Sequence, residues 1–292
     1  MELKGFIERT APLRILGVKI TQDGSLTAEH FWDEECRRNL YSASKSVTSC
    51  AVGFAVQEGL VALDEKLVDA FAEDLPEQVS PQLEHAVVRD LLTMCLGQES
   101  GSLMGAQRPL YQEDDWAKLA LAIPFVYEPG ERFVYNNVGP YLAGLLVQRR
   151  AGCDLVSYLT PRLFRKLGIK RPTWESDPLG NTFGAGGLFL TLSELHRFGK
   201  FYLQMGKWAG QQLLSEQWVL ESTSKQVENN RDEFGYGYLF WGGPHGSFRA
   251  DGKYSQLSVI LREKNAVISV VAECRRGKEL QQAIWEELYP QL

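Results

Sequence analysis

Strand-forming segments lie at the two ends of this chain, and helix-forming segments fill its middle. Residues 14–22 (RILGVKITQ) alternate as a strand does, Asp23-Gly24 is a hairpin turn signal, and 25–32 (SLTAEHFW) reads as the returning strand. Far downstream, 236–241 (YGYLFW), 256–262 (QLSVILR) and 266–273 (AVISVVAE) read as strands, followed by a terminal helix over 279–288. Between them, Val47, Cys50, Ala51, Phe54 and Ala55 recur at helical spacing, so a helix begins near Ser42 and ends at Gly59. Shorter helices follow at 66–72, 84–95, 114–123, 138–151 and 154–167, and Thr191 to Glu194 matches a capping box opening a helix over 193–205. The expected fold class is α+β: an antiparallel sheet flanked by helices, with an inserted all-helical domain. Residues 1–60 and 184–292 would form a discontinuous sheet domain, and 61–183 a mostly helical insertion.

Composition narrows the function classes. Of 292 residues, 44% are hydrophobic and 23% charged, enough for a large core. The net charge of −6 comes without any basic block, which argues against a nucleic-acid partner. No apolar run approaches the ~18 residues that span a bilayer, so no membrane partner is expected. Glu2 and Glu8 stand where a signal peptide would carry a basic flank and an apolar stretch, which points to a cytoplasmic location. Five cysteines form no C-x-x-C pair and four histidines are dispersed, so free thiols are expected, with no metal and no cofactor. The chain has no G-x-S-x-G elbow, no G-x-G-x-x-G, and a GAGG that no GK[ST] follows. That GAGG reads instead as close packing of a strand against the helix near Ser42. Cys95 reads as a small buried residue, not a nucleophile.

Two short motifs carry candidate chemistry. Ser42-Ala43-Ser44-Lys45 is an S-x-x-K at a helix start, where residues three apart share a face and the Lys45 amine reaches the Ser42 hydroxyl. A serine needs a base to become nucleophilic, and a lysine serves once burial or a neighbouring cation lowers its pKa. Alternatively Ser42 is an N-cap and Lys45 ordinary surface. A second copy, Ser222-Thr223-Ser224-Lys225, precedes a polar stretch with no apolar helix to bury its lysine, and reads as a chance match. In Tyr135-Asn136-Asn137 the phenol could relay a proton and the second amide could hold a substrate carbonyl. The alternative there is Asn137 as a helix cap with Tyr135 packed beneath it.

In order and context, YSASKSVTSCAVGFAVQEGLVALDEKL, VVRDLLTMCLG, PGERFVYNNVGPYLAGLLVQRRAG, GAGGLFLTLSELHRFGKFYLQMGKW and YGYLFWGG leading into FRADGKYSQLSVIL resemble one family. The chain is similar to the serine β-lactamase and penicillin-binding protein superfamily, in its class C β-lactamase and esterase-like branch. The resemblance implies that Ser42 is the acylated nucleophile, Lys45 its base or proton relay, and Tyr135 and Asn137 the phenol and amide of a Y-x-N motif. It also implies an oxyanion hole built from the backbone N–H groups of Ser42 and Lys253.

The chain departs from that pattern at the third motif, a Lys-Thr-Gly or His-x-Gly on a strand lining the site. The matching position is Ala250-Asp251-Gly252, with alanine in place of the cation. Strand alternation would turn Lys253 and Arg249 to the opposite face, while His245 lies in a preceding loop. Met94-Cys95-Leu96-Gly97 stands where the family often has His-Thr-Ser-Gly. The aromatics Tyr236, Tyr238, Phe240 and Trp241 read as core packing, with one of them a candidate wall of the cleft. These features imply a serine hydrolase acting on a small-molecule ester, amide or peptide-like substrate. One alternative is a weak or inactive family member acting as a binding or regulatory protein. Another is a true β-lactamase or D-Ala-D-Ala carboxypeptidase, which the missing cation argues against.

Overall fold

A computed structural model describes residues 1–101 and 103–292, and in it the two ends of the chain meet in one antiparallel sheet. Its strands are β1 (Ile15–Gln22), β2 (Ser25–Phe31), β3 (Trp241–Gly242), β4 (Phe248–Gly252), β5 (Gln256–Leu261) and β6 (Ala266–Ala272). They lie in the order β2-β1-β6-β5-β4-β3. Asp23 and Gly24 both take positive φ, 51° and 78°, which gives the turn the twist a two-residue hairpin needs. The first strand then pairs with the last, Ile20 opposite Ile268, so termini far apart in sequence close one sheet.

Both central strands, β5 and β6, are buried along their length because helices cover both faces. Successive side chains of β6 serve opposite faces. Ile268 and Val270 pack with Phe6 of α1 (Lys4–Thr10) and Leu280 of α5 (Gly277–Ala283), while Val267 and Val271 join the larger core. That larger core surrounds α2 (Ser44–Gln57), which is buried from Ser44 to Ala55. Helix α3 (Val138–Ala151) packs on α2, and α4 (Leu192–Leu203) packs on the sheet, opened by the expected Thr191/Glu194 capping box. The GAGG segment does pack on α2: Thr48 Oγ1 donates to the Gly184 carbonyl at 2.7 Å, and Gly184 has a φ of 67°.

Several expected elements differ. Residues 236–240 do not form a strand, and only Trp241 enters one, as the first residue of β3. Leu239 takes a φ of 63°, and the N–H groups of Tyr238 and Leu239 donate to the Ser222 and Leu92 carbonyls, away from any ladder. The apolar run there reflects burial of Tyr236, Tyr238 and Phe240 in the core, not strand alternation. The expected helix at 84–95 divides into Pro81–His85 and Val88–Thr93, because Val87 is extended and its N–H is taken by the Asp90 carboxylate at 2.9 Å. The 154–167 segment becomes Leu155–Leu159 followed by a wider turn, Thr160–Phe164, that carries Pro161. Helix α1 has no counterpart in the periodicity reading. Among the described residues no helix is long and apolar enough to cross a membrane, and no group could hold a metal ion.

Candidate active site

Ser42 sits on a tight turn, Tyr41–Ala43, that leads into α2. Tyr41 has a φ of 48°, and its N–H donates to Asn39 Oδ1 at 2.7 Å, an Asx turn that fixes the chain just before the serine. The Ser42 side chain makes no capping bond, so the N-cap alternative fails. One helical turn on, Lys45 is 1% exposed. Its Nζ lies 3.2 Å from Ser42 Oγ, 2.6 Å from Asn137 Oδ1 and 2.7 Å from the Ala185 carbonyl. None of these partners is charged, and burial disfavours the ammonium form. Burial first, then the positive charges of Arg108 and Arg231, lower the Lys45 pKa to about 7.

The Tyr135-Asn136-Asn137 segment divides its labour differently from either expectation. Asn136, not Asn137, satisfies the start of α3, its Oδ1 accepting the Gly139 N–H at 2.7 Å. Asn137 makes no capping bond and turns into the site, accepting from Lys45 and donating from Nδ2 to the Met104 carbonyl at 2.8 Å. The Tyr135 ring centroid lies 5.1 Å from Lys45 Nζ, and its hydroxyl is near enough to the Ser42 side chain to interact with it. Burial pushes the phenol up to about 12. Tyr236 and Trp241 pack against Tyr135 with ring centroids 6.4 and 5.4 Å away, so these aromatics brace the phenol and do not line the cleft.

The end of β4 completes the arrangement. A Cβ on Gly252 would fall 2.1 Å from the Leu40 carbonyl oxygen and 3.0 Å from the Ala43 nitrogen, so only glycine lets the strand approach the Ser42 turn this closely. Ala250 is fully buried in the core and does not line the cleft. Lys253 corrects the alternation argument. Strand β4 stops at Gly252, and Tyr254 and Ser255 turn with φ of 61° and 68°, so the pleat no longer dictates direction and Lys253 lines the same cleft as Ser42. Arg249 does face away, its Nε donating to Asp251 Oδ2 at 3.0 Å. His245 stacks on Tyr289 at 4.0 Å and does not fold back toward the serine.

The cleft holds about 300 Å³ and is walled by Ser42, Asn137 and Lys253 together with Arg108, Glu175 and Phe183. Sequence reasoning missed the last three. Arg108 donates to Glu175 Oε2 at 2.8 Å and its guanidinium lies 4.3 Å from the Phe183 ring centroid, so a charged pair and an aromatic share one rim. Arg108 opens a single short helical turn, Arg108–Leu110, too brief to leave a periodic pattern. The second S-x-x-K is inert: Ser222 is buried at a helix end, and Lys225 pairs with Glu228 at 2.6 Å. Cys95 is buried with its thiol pushed up to about 11 by burial, and does not line the cleft.

Comparison with known proteins places this geometry. A candidate 6-aminohexanoate-dimer hydrolase from Bacillus anthracis superposes with a TM-score of 0.81 at 17% identity, over 100% of this chain and 81% of that one. An octameric penicillin-binding protein homologue from Pyrococcus abyssi gives 0.79 at 19% identity, over 98% of this chain and 77% of that one. Both likenesses establish the fold. An uncharacterized protein of Alkalihalophilus pseudofirmus is 23% identical over 247 residues, 74% of this chain, and the match spans 66% of that relative's length. The sequence profile of the Beta-lactamase family matches residues 13–288, and this chain therefore belongs to the Beta-lactamase family of serine hydrolases.

Proposed function

We propose that this protein cleaves an ester or amide through an acyl-enzyme formed on Ser42. The observation that carries the reading is the environment of Lys45. As a neutral amine it has two N–H donors and one lone pair. The two short contacts, to Asn137 Oδ1 and the Ala185 carbonyl, use both donors, and the lone pair is left for the Ser42 hydroxyl. A pKa lowered to about 7 keeps a large share of Lys45 neutral at physiological pH.

In this mechanism Ser42 Oγ attacks the carbonyl carbon as its proton passes to Lys45. The oxygen–carbon bond forms and the carbonyl π electrons move onto oxygen. The backbone N–H groups of Ser42 and Lys253 hold that oxyanion, a pairing supported by the close approach of Gly252 to the Ser42 turn. Collapse expels the leaving alcohol or amine, which takes a proton relayed from Lys45 through Tyr135. Water then adds to the acyl carbon, its proton passing back through the same groups, and Ser42 is released. The helical segments between 61 and 183 supply Tyr135, Asn137 and Arg108, so the cleft lies where they meet the sheet.

The exposed ammonium of Lys253 favours a second reading, because it gives the cleft a cation that β4 itself lacks. A substrate bearing a carboxylate, a penicillin included, would then be accepted. Hydrolysis of p-nitrophenyl acetate and of a chromogenic cephalosporin, with Ser42→Ala as control, tests both readings. Ester turnover that vanishes in Ser42→Ala supports the proposal, and comparable cephalosporin turnover supports the second reading. If neither substrate is turned over above the control, the hydrolase proposal is refuted.

A further inference from the structure

Tyr135 is faced by charge from three elements: Lys45 on α2, Asp251 on β4, and Arg231 on the 226–235 loop. The Arg231 guanidinium carbon lies 4.9 Å from the Tyr135 ring centroid and 4.6 Å from that of Trp241. Arg231 forms no ion pair with any described residue. The loop that presents it is built rigidly. Asn229 Oδ1 accepts the N–H groups of Arg231 and Asp232 at 2.7 and 3.0 Å, and Asn229 Nδ2 donates back to Asp232 Oδ1 at 2.9 Å. This exposed arginine is thus held against the rings of Tyr135 and Trp241, in a pocket it shares with Asp232, Arg249, Asp251 and Lys278.

We propose that Arg231 is a positioning residue of the active site, supplying from a loop the positive charge beside Tyr135 and Lys45 that β4 does not provide at Ala250. The inference rests on the hydrolase reading only for its catalytic consequence. Stacking on Tyr135 and Trp241 holds the guanidinium, and its field disfavours a second cation at Lys45, in concert with Arg108 of the cleft wall. Lys45 Nζ and the Arg231 guanidinium each lie about 5 Å from one ring centroid, which bounds their separation at about 10 Å. At that distance a unit charge moves a neighbour's pKa by about 0.3 unit in a water-like medium and about 1.2 units at an effective dielectric of 20.

The test uses Arg231→Met, which keeps the stem and removes the charge, and Arg231→Lys, which keeps the charge. Two readouts are taken on each. One is the titration of Lys45 by NMR of ¹³Cε-lysine-labelled protein, assigned with Lys45→Met. The other is the pH dependence of fluorophosphonate labelling. We expect the Lys45 midpoint and the acid limb of labelling to rise together by about 0.3 to 1.2 units in Arg231→Met and to return in Arg231→Lys. Because Arg231 is exposed, both variants should keep the wild-type Tm. Unchanged midpoints in Arg231→Met would overturn the proposal. If the NMR shift appears but wild-type protein is never labelled, the charge assignment stands and the hydrolase reading falls.

Discussion

Replacing Gly252 by alanine adds one methyl group at the point where the sheet touches the Ser42 turn. That carbon would sit 2.1 Å from the Leu40 carbonyl oxygen, whereas an unforced carbon–oxygen contact needs about 3.3 Å. The backbone must therefore open by about 1 Å, because the obstructing atom belongs to the main chain and has no rotamer to change. Overpacking of this kind destabilises by about 1–3 kcal/mol. A 1 Å displacement of reacting groups lowers turnover by about 100-fold. The assay is kcat/KM on p-nitrophenyl acetate, read beside Tm. Gly180→Ala is the control: its φ of 87° costs about 1–2 kcal/mol of strain, but nothing lies within 4 Å of the new Cβ. We expect Gly180→Ala to lose stability alone, and Gly252→Ala to lose stability and activity together. A folded Gly252→Ala variant with wild-type kcat/KM would refute the claim that this contact sets the position of Ser42.

Activity should rise as pH passes through about 7, since the working form of Lys45 is the neutral one. Lys45→Arg, which keeps a charge that never titrates in this range, should abolish turnover at every pH up to 10. Asn137→Leu removes an acceptor from a buried amine, so kcat should fall about 5- to 150-fold, matching the 1–3 kcal/mol lost by an unpaired buried donor. An unchanged kcat would remove Asn137 from the machinery. His196 is buried between Thr21 Oγ1 and Ser269 Oγ, each 3.0 Å away, and burial depresses its pKa from 6.5 to about 3. The unfolded chain binds that proton below pH 6.5 and the folded chain does not. Stability should therefore fall by about 1.4 kcal/mol per unit as pH drops from 6.5 toward 3. Urea titrations of His196→Gln should lack most of this slope, and an identical slope would show that other groups carry it.

The sheet was legible at both ends of the sequence because β1, β5 and β6 carry apolar or alternating runs that burial explains, and the Asp23-Gly24 turn marks β2, which is itself exposed or half-buried throughout. The 236–241 run misled because packing around α2 buries aromatics on an irregular backbone as readily as on a strand. Ser42 and Lys45 were legible because their spacing is a local helical property. Tyr135 was a candidate from its spacing to Asn137 and gained its role by resemblance, but its neighbours decide how it is held, and Tyr236 and Trp241 are about a hundred residues away. The exchange of roles between Asn136 and Asn137 turned on which amide meets the Gly139 N–H, a choice made by backbone geometry. Lys253 was misjudged for a similar reason: alternation holds only while a strand lasts, and β4 ends one residue earlier. Arg108 and Arg231 left no trace, since Arg108 reaches the site from a three-residue turn and Arg231 from a loop, both through side-chain direction.

The central claim is that Ser42, and no other serine, becomes acylated with the help of Lys45. Intact-mass measurement after exposure to a fluorophosphonate, followed by peptide mapping of the adduct, addresses it directly. One adduct per chain is expected, located on the peptide carrying Ser42, lost in Ser42→Ala and slowed at least about 100-fold in Lys45→Met. An adduct on Ser222, or labelling that survives in Ser42→Ala, would contradict the account.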